Sequence, residues 1–123
     1  MTLGNCLHFY QNTNTMSCHY SILYSGVKGY VICCKECGMY QLAFLSSLIN
    51  FGQKDFKKFG RQVASRLGYP VDFSDKHKNI VLNTFSGNSQ MVLSYEELND
   101  LSQMLEEADV VQQTNALLEL FDQ

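Results

Sequence analysis

LSYEEL at residues 93–98 and FGQKDF at residues 51–56 are two versions of one helix-start signal. In each version an apolar residue precedes a helix cap, and an acidic residue followed by a second apolar residue closes the motif. Ser94 and Glu97 fit a capping box, in which each side chain accepts a hydrogen bond from the backbone of the other residue. Gly52 makes the first version weaker, because glycine has no side-chain acceptor. The two motifs predict the starts of two helices.

Apolar residues follow both motifs at spacings of three and four, which is typical of a helix that buries one face. The first helix is expected to end at Gly68, in a left-handed conformation, and Pro70. The second pattern continues to the end of the chain, where an apolar stripe packs either on the core, which we favour, or on a partner. The predicted buried positions are Phe56, Phe59, Val63 and Leu67, then Leu98, Leu101, Leu105 and Ala108, and the terminal stripe is Ala116, Leu117, Leu120 and Phe121.

Two strand-like runs precede each helix. The first pair spans 39–44 and 47–51, and the second spans 79–85 and 89–93 with a hairpin turn at Ser86-Gly87-Asn88. The matched order of strand, strand and capped helix predicts an internal duplication. Two such units can join their strands into one antiparallel sheet and place both helices on it. The predicted fold is therefore α+β, with two layers.

A cysteine-containing hairpin is predicted ahead of the duplicated units. Residues 20–24 and 30–34 are strand-like, and the glycine-containing segment between them is a turn. If the turn closes a hairpin, Cys18 lies opposite Cys37 and His19 lies opposite Glu36. We expect one domain over residues 1–123, made of the hairpin region 1–38, a first unit 39–69, and a second unit with the terminal helix 78–123.

Cys34 and Cys37, with a glycine after the second cysteine, have the spacing with which a short turn presents two thiolates to one zinc ion. The hairpin brings Cys18 to the same end as a third ligand. His19 is the expected fourth ligand, and His8 is the alternative. A Cys₃His set would be a closed, structural zinc site. Zinc is the only cofactor that the sequence suggests.

Two other interpretations of the cysteines stay open. They can be plain buried thiols, since cysteine is among the most buried residue types. They can also be a redox pair, although a redox Cys-x-x-Cys normally begins a helix and a strand is predicted to follow here. An odd count of five cysteines and a first segment unlike a signal peptide argue against a disulfide framework. We therefore expect a cytoplasmic protein.

Charge is distributed unevenly along the chain. Residues 1–69 hold seven basic and two acidic side chains, a net charge of +5, whereas residues 70–123 hold two basic and ten acidic ones, a net charge of −8. The two halves are expected to attract each other within one domain. This leaves no free basic surface of the kind that nucleic acid requires, and no segment predicts membrane insertion. The remaining partners are another protein or a second copy of the chain.

The order of these parts resembles a small family of uncharacterised proteins from Bacteroidetes-type bacteria. The resemblance rests on the Cys-x-x-Cys turn followed by QLAF at 41–44, the capped helix, IVL at 80–82, VLSYEEL at 92–98 and LLELF at 117–121. It implies a bacterial, cytoplasmic, single-domain protein, and it implies no catalytic residues because the family has no assigned activity.

The sequence favours a small non-enzymatic interaction or regulatory domain. His77 lies in a polar loop. The basic residues Lys54, Lys57, Lys58 and Arg61 are interpreted as a solvated helix face, and a site for an anion or a partner is the less favoured alternative. One alternative is a thiol- or metal-dependent enzyme, or a redox protein, at the cysteine hairpin. The other is a small-ligand sensor, which requires a cavity on the sheet face between the two helices.

Overall fold

The computed structural model describes residues 19–68, 76–85 and 87–121, which form an α+β fold. The strands and helices, in chain order, are β1 Tyr20–Gly26, β2 Gly29–Cys34, β3 Tyr40–Phe44, β4 Ser47–Phe51, α1 Gln53–Leu67, β5 Ile80–Asn83, β6 Gln90–Leu93 and α2 Tyr95–Phe121. The predicted fold class is confirmed.

The strands form two antiparallel sheets rather than the single sheet that we expected. One sheet has the order β1-β2-β3-β4, and β5 and β6 form the other. The free edge of β5 is occupied by α1: the Gln62 side chain bonds both the backbone N–H and the carbonyl of Asn83, at 2.9 and 2.8 Å, and Arg66 donates to the carbonyl of Val81 at 2.9 Å. Because α1 satisfies this edge, the second pair of strands does not join the first sheet. The proposed duplication stays a prediction.

The N-terminal hairpin is an integral part of the larger sheet, because β2 pairs with β3 along its length. Gly29 makes this close pairing sterically allowed: its φ is 158°, and a Cβ there would lie 1.8 Å from the carbonyl oxygen of Ala43. The hairpin register shifts by one residue at an irregularity between Ile22 and Tyr24. A bulge of this kind changes which residues face each other beyond it.

Both predicted helix starts are confirmed. The Glu97 backbone N–H donates to Ser94 Oγ at 3.1 Å, and the Ser94 N–H donates to Glu97 Oε1 at 3.0 Å, which is the complete capping box. Before α1, Gly52 makes no side-chain cap, and the rings of Phe51 and Phe56 meet edge to face at 5.6 Å. The weaker motif therefore relies on its hydrophobic staple.

One apolar core lies between the sheets and the helices. α2 packs across β1 and β2 and against α1, while α1 contacts β4 and β5. Phe59 and Val63 are buried as predicted, whereas Phe56 and Leu67 are only partly buried. In α2 the expected positions Leu98, Leu101 and Ala108 are buried, and Leu105 is partly buried.

Two expectations about helix ends need correction. α1 ends before Gly68 as predicted, but Gly68 is right-handed, with φ −79° and ψ −8°, and its N–H bonds the Ser65 carbonyl at 3.2 Å. Pro70 lies outside the described residues. The end of α2 does not pack on the core: Leu117, Leu120 and Phe121 are 58%, 67% and 82% exposed. In the described parts of the chain, neither helix has a stretch long and apolar enough to cross a lipid bilayer.

Candidate functional site

A groove of about 660 Å³ runs between α1 and α2 over the face of the larger sheet. Its floor is apolar and includes Leu23 of β1, Tyr40 of β3 and Phe56 of α1. The ring of Tyr40 stacks on the ring of Phe56, with centroids 4.2 Å apart and planes 5° from parallel. The groove exists because small side chains line part of each wall, namely Gly60, Ala64, Ala108 and Ala116. A volume near this value is typical of small-molecule sites, which span ~300–1,000 Å³.

The two rims of the groove carry opposite charges. Lys57 and Arg61, four residues apart on α1, stand on one rim, and Glu106 and Asp109, three residues apart on α2, stand on the other. Asp109 accepts a hydrogen bond from Gln113 at 2.8 Å. Within the described residues neither Lys57 nor Arg61 lies within ion-pair distance of a carboxylate. The rims are therefore complementary in charge but are not joined to each other.

A smaller cavity of about 220 Å³ continues the groove toward the cysteine turn. Tyr40, Gln53, Gln112 and Ala116 line both spaces. Cys33, opposite Tyr40 on β2, lines the far end, and burial raises the pKa of its thiol despite the opposing effect of a hydrogen bond with Tyr40. Burial, with a contribution from Cys33, raises the pKa of Tyr40 to about 12. Both groups are thus neutral near pH 7, and Cys33 is a poor nucleophile.

The cysteine turn brings Cys34 and Cys37 together as the spacing predicts. The Cys37 N–H donates to Cys34 Sγ at 3.4 Å, and the turn is closed by a bond from the Gly38 N–H to the Cys34 carbonyl at 2.9 Å. The prediction that His19 lies opposite Glu36 is off by one residue, because the register shift in the hairpin pairs Tyr20 with Cys34 and the Lys35 N–H bonds the His19 carbonyl at 2.7 Å. The Glu36 side chain still reaches His19: the backbone N–H and Nδ1 of His19 both lie 2.9 Å from Glu36 Oε1. His19 is therefore engaged with a carboxylate on the surface.

The structure gives no support for zinc at this turn. Cys37 is disulfide-bonded, whereas Cys33 and Cys34 are not part of a disulfide. The expectation that no disulfide is present is wrong for Cys37, and a disulfide sulfur is not a thiolate ligand. Among the described residues, no three histidine, cysteine or carboxylate side chains cluster so as to hold a metal ion. Cys18 and the alternative ligand His8 lie outside the described residues, so the four-ligand site stays a prediction.

A second candidate surface is the outer side of α2 near its end. Val110, Leu117 and Phe121 are 63%, 58% and 82% exposed. With Thr114 they follow the alternating spacing of four, three and four residues that defines one seam of a coiled coil. We call these four residues the outer stripe. It shares no residue with the groove, so the two surfaces lie on different faces of the same helix.

The sequence pointed to the place of the groove but missed its residues. A cavity between the helices was the stated requirement of the small-ligand hypothesis, yet Lys57 and Arg61 were assigned to a solvated face. Gly60 was the available signal: a glycine inside an otherwise favourable helix costs ~0.5–1 kcal/mol relative to alanine and implies open space or close approach.

The fold and the groove define a small α+β protein with a preformed cleft between two helices. The chain belongs to a family of unknown function, DUF6686, whose model matches residues 16–122. No curated protein and no solved structure matches the chain.

Proposed function

We propose that the protein is a non-enzymatic interaction domain that pairs with a second copy of itself through the outer stripe of α2. The observation that carries the proposal is the exposure of Val110, Leu117 and Phe121 along one helix face, since core packing was expected for Leu117 and Phe121. Exposed apolar residues at the spacing of a coiled-coil seam fit another helix better than they fit solvent.

The charge of the segment favours a second copy as the occupant. Residues 110–121 contain one charged side chain, Glu119, so the stripe itself carries no charge that would oppose self-association. An antiparallel arrangement about the middle of this segment keeps Glu106 and Glu107 of the two copies far apart. Such an isologous pair is the commonest way in which soluble proteins form homodimers.

The expected dimer is weak. Full burial of one exposed Val, Leu or Phe side chain contributes ~1.5–3 kcal/mol, so three partly exposed side chains from each copy contribute at most about 6–12 kcal/mol. Loss of translational and rotational freedom costs ~4–15 kcal/mol. The difference places the dissociation constant near or above the micromolar range, and the oligomeric state should therefore depend on concentration.

Sedimentation equilibrium across micromolar and millimolar concentrations tests the proposal, with Leu117→Glu as the test variant. Val92→Glu is the matched control, because Val92 is 50% exposed on β6 and lies off the outer stripe. The wild type and the Val92 variant should dimerise, and the Leu117 variant should stay monomeric with unchanged helix content. A wild type that is monomeric throughout, or a dimer that persists in the Leu117 variant, contradicts the proposal.

A further inference from the structure

We propose that the groove between α1 and α2 binds a zwitterionic small molecule of about dipeptide size with an apolar body. The carboxylate of the ligand lies against Lys57 and Arg61, and its ammonium lies against Glu106 and Asp109. This site is independent of self-association, since its lining and the outer stripe have no residue in common.

The apolar floor of the groove requires a ligand with an apolar body. Tyr40 and Phe56 present stacked rings, and Leu23, Val63 and Leu105 complete an apolar surface at the bottom of the groove. A fully charged ligand would lose its hydration over this surface without gaining hydrogen bonds there. A ligand with a hydrophobic middle instead removes both its own surface and that of the floor from water.

The opposite charges of the two rims of the groove require a ligand with one negative and one positive end. Arg61 offers a planar fork of donors that suits a carboxylate, and Lys57 one turn earlier adds a second positive charge. Glu106 and Asp109 offer acceptors to an ammonium group on the opposite rim. Packed helices have axes ~8–10 Å apart, so charges on opposite rims are farther apart than the two charged groups of a single amino acid. The terminal groups of an extended dipeptide span this gap better.

The end of the site toward the cysteine turn contains two titratable groups that are uncharged at neutral pH. Cys33 and Tyr40 keep their protons near pH 7, because burial raises the pKa of both groups, that of Tyr40 to about 12. Lys35 and Glu119 also line this end, so a ligand that reaches it meets neutral hydrogen-bonding groups together with one charge of each sign. Glu106 and Asp109 of α2 would repel a simple anion, and this distinguishes the groove from a general anion site.

Gly60 allows the groove to be blocked without damage to the fold. It lines the groove, and a Cβ built on it meets no atom within 4 Å. Gly60→Leu places a side chain in the groove, and Gly60→Ala is the matched control with the same gain in helix propensity but little added volume. Both variants should be at least as stable as the wild type.

The test uses leucyl-phenylalanine, its N-acetyl derivative, which lacks the ammonium, and its amide, which lacks the carboxylate. Binding is followed by amide chemical-shift changes in the full chain. The free dipeptide should bind Gly60→Ala like the wild type and should lose at least about tenfold in affinity for Gly60→Leu, which corresponds to ~1.4 kcal/mol. Each derivative should bind the wild type several-fold more weakly than the free dipeptide.

Two charge variants assign the ends. In Glu106→Gln the preference for the free dipeptide over its N-acetyl derivative should shrink, while the preference over the amide is kept. In Arg61→Gln the preference for the free dipeptide over its amide should shrink, while the preference over the N-acetyl derivative is kept. Any of three results overturns the proposal. They are equal binding of all three probes, an affinity of Gly60→Leu equal to that of the wild type, and no saturable chemical-shift change up to about 10 mM dipeptide, beyond which affinity is negligible.

Discussion

Removal of the capping box at the start of α2 should lower the free energy of unfolding of the whole protein, because α2 packs across β1 and β2 and against α1. Ser94 is 4% exposed, and its Oγ accepts the Glu97 N–H at 3.1 Å. Ser94→Ala leaves this N–H without its partner in a partly buried position. Loss of a serine cap costs ~0.5–2 kcal/mol, and burial at this site places the expected loss in the upper half of that range.

Glu97 contributes to the same motif through its charge. Its Oε1 accepts the Ser94 N–H at 3.0 Å and lies 2.6 Å from Lys78 Nζ. Burial opposes the charged form, but the hydrogen bonds from Lys78 and Ser94 outweigh it, so the pKa of Glu97 is below its ordinary value. Glu97→Gln retains an acceptor and loses the charge, which at a partly exposed helix start is worth ~0.3–1 kcal/mol.

The lowered pKa fixes the sign of the pH dependence. A carboxyl whose folded pKa is lowered adds stability above its unfolded pKa of ~4.3, and that contribution is lost as the pH falls through the folded value. The difference between the wild type and Glu97→Gln should therefore be constant near neutral pH and should shrink below about pH 4.

Urea unfolding followed by circular dichroism measures these differences at several pH values. Ser94→Ala and Glu97→Gln should lower the midpoint with no change of slope, and the double variant should lose less than the sum, because the two residues share one motif. Ser94→Thr is the control that keeps the cap. Losses under about 0.3 kcal/mol for Ser94→Ala, or strict additivity in the double variant, refute the reasoning.

Three further outcomes are expected. Gly29→Ala should lower the free energy of unfolding in urea by more than about 3 kcal/mol, because its Cβ would meet the Ala43 carbonyl oxygen at 1.8 Å. The control Gly87→Ala, where φ is 59° and the surrounding space is open, should lower it by only ~1–2 kcal/mol. Equal losses in the two variants would contradict the strand-pairing argument. Phe59→Ala should cost ~3–5 kcal/mol by thermal or urea unfolding, since Phe59 is fully buried. Cys33 should be alkylated much more slowly in the native than in the unfolded protein, because it is buried and the pKa of its thiol is raised. Peptide mass spectrometry measures the two rates, and rapid labelling of the native protein would show that the Cys33 thiol is accessible to solvent.

The features that were predicted correctly depend on neighbours in sequence. The capping box uses residues three positions apart, and the hydrophobic staple before α1 uses residues five apart, so local spacing is sufficient to identify both. The hairpin turn also placed His19 within one residue of its observed position opposite Lys35. In each case the chain has little freedom between the interacting groups.

The features that were missed depend on groups that are distant in sequence. Gln62 satisfies the edge of β5 from 21 residues away, and nothing in a glutamine on a helix indicates that it will imitate a strand. The exposed end of α2 was misassigned for a related reason: an apolar stripe looks the same whether it covers the core or faces a partner.

The uneven charge of the two halves can now be connected to particular places in the fold. Lys28, at the turn between β1 and β2, pairs with Asp100 of α2, and this ion pair raises the pKa of Lys28, so part of the attraction holds the hairpin against the second helix. At the groove the same asymmetry has a different result, because basic residues of α1 and acidic residues of α2 face each other without an ion pair between them. Because no ion pair joins the two rims in the described part of the chain, the charges of Lys57, Arg61, Glu106 and Asp109 are available to a ligand with complementary ends.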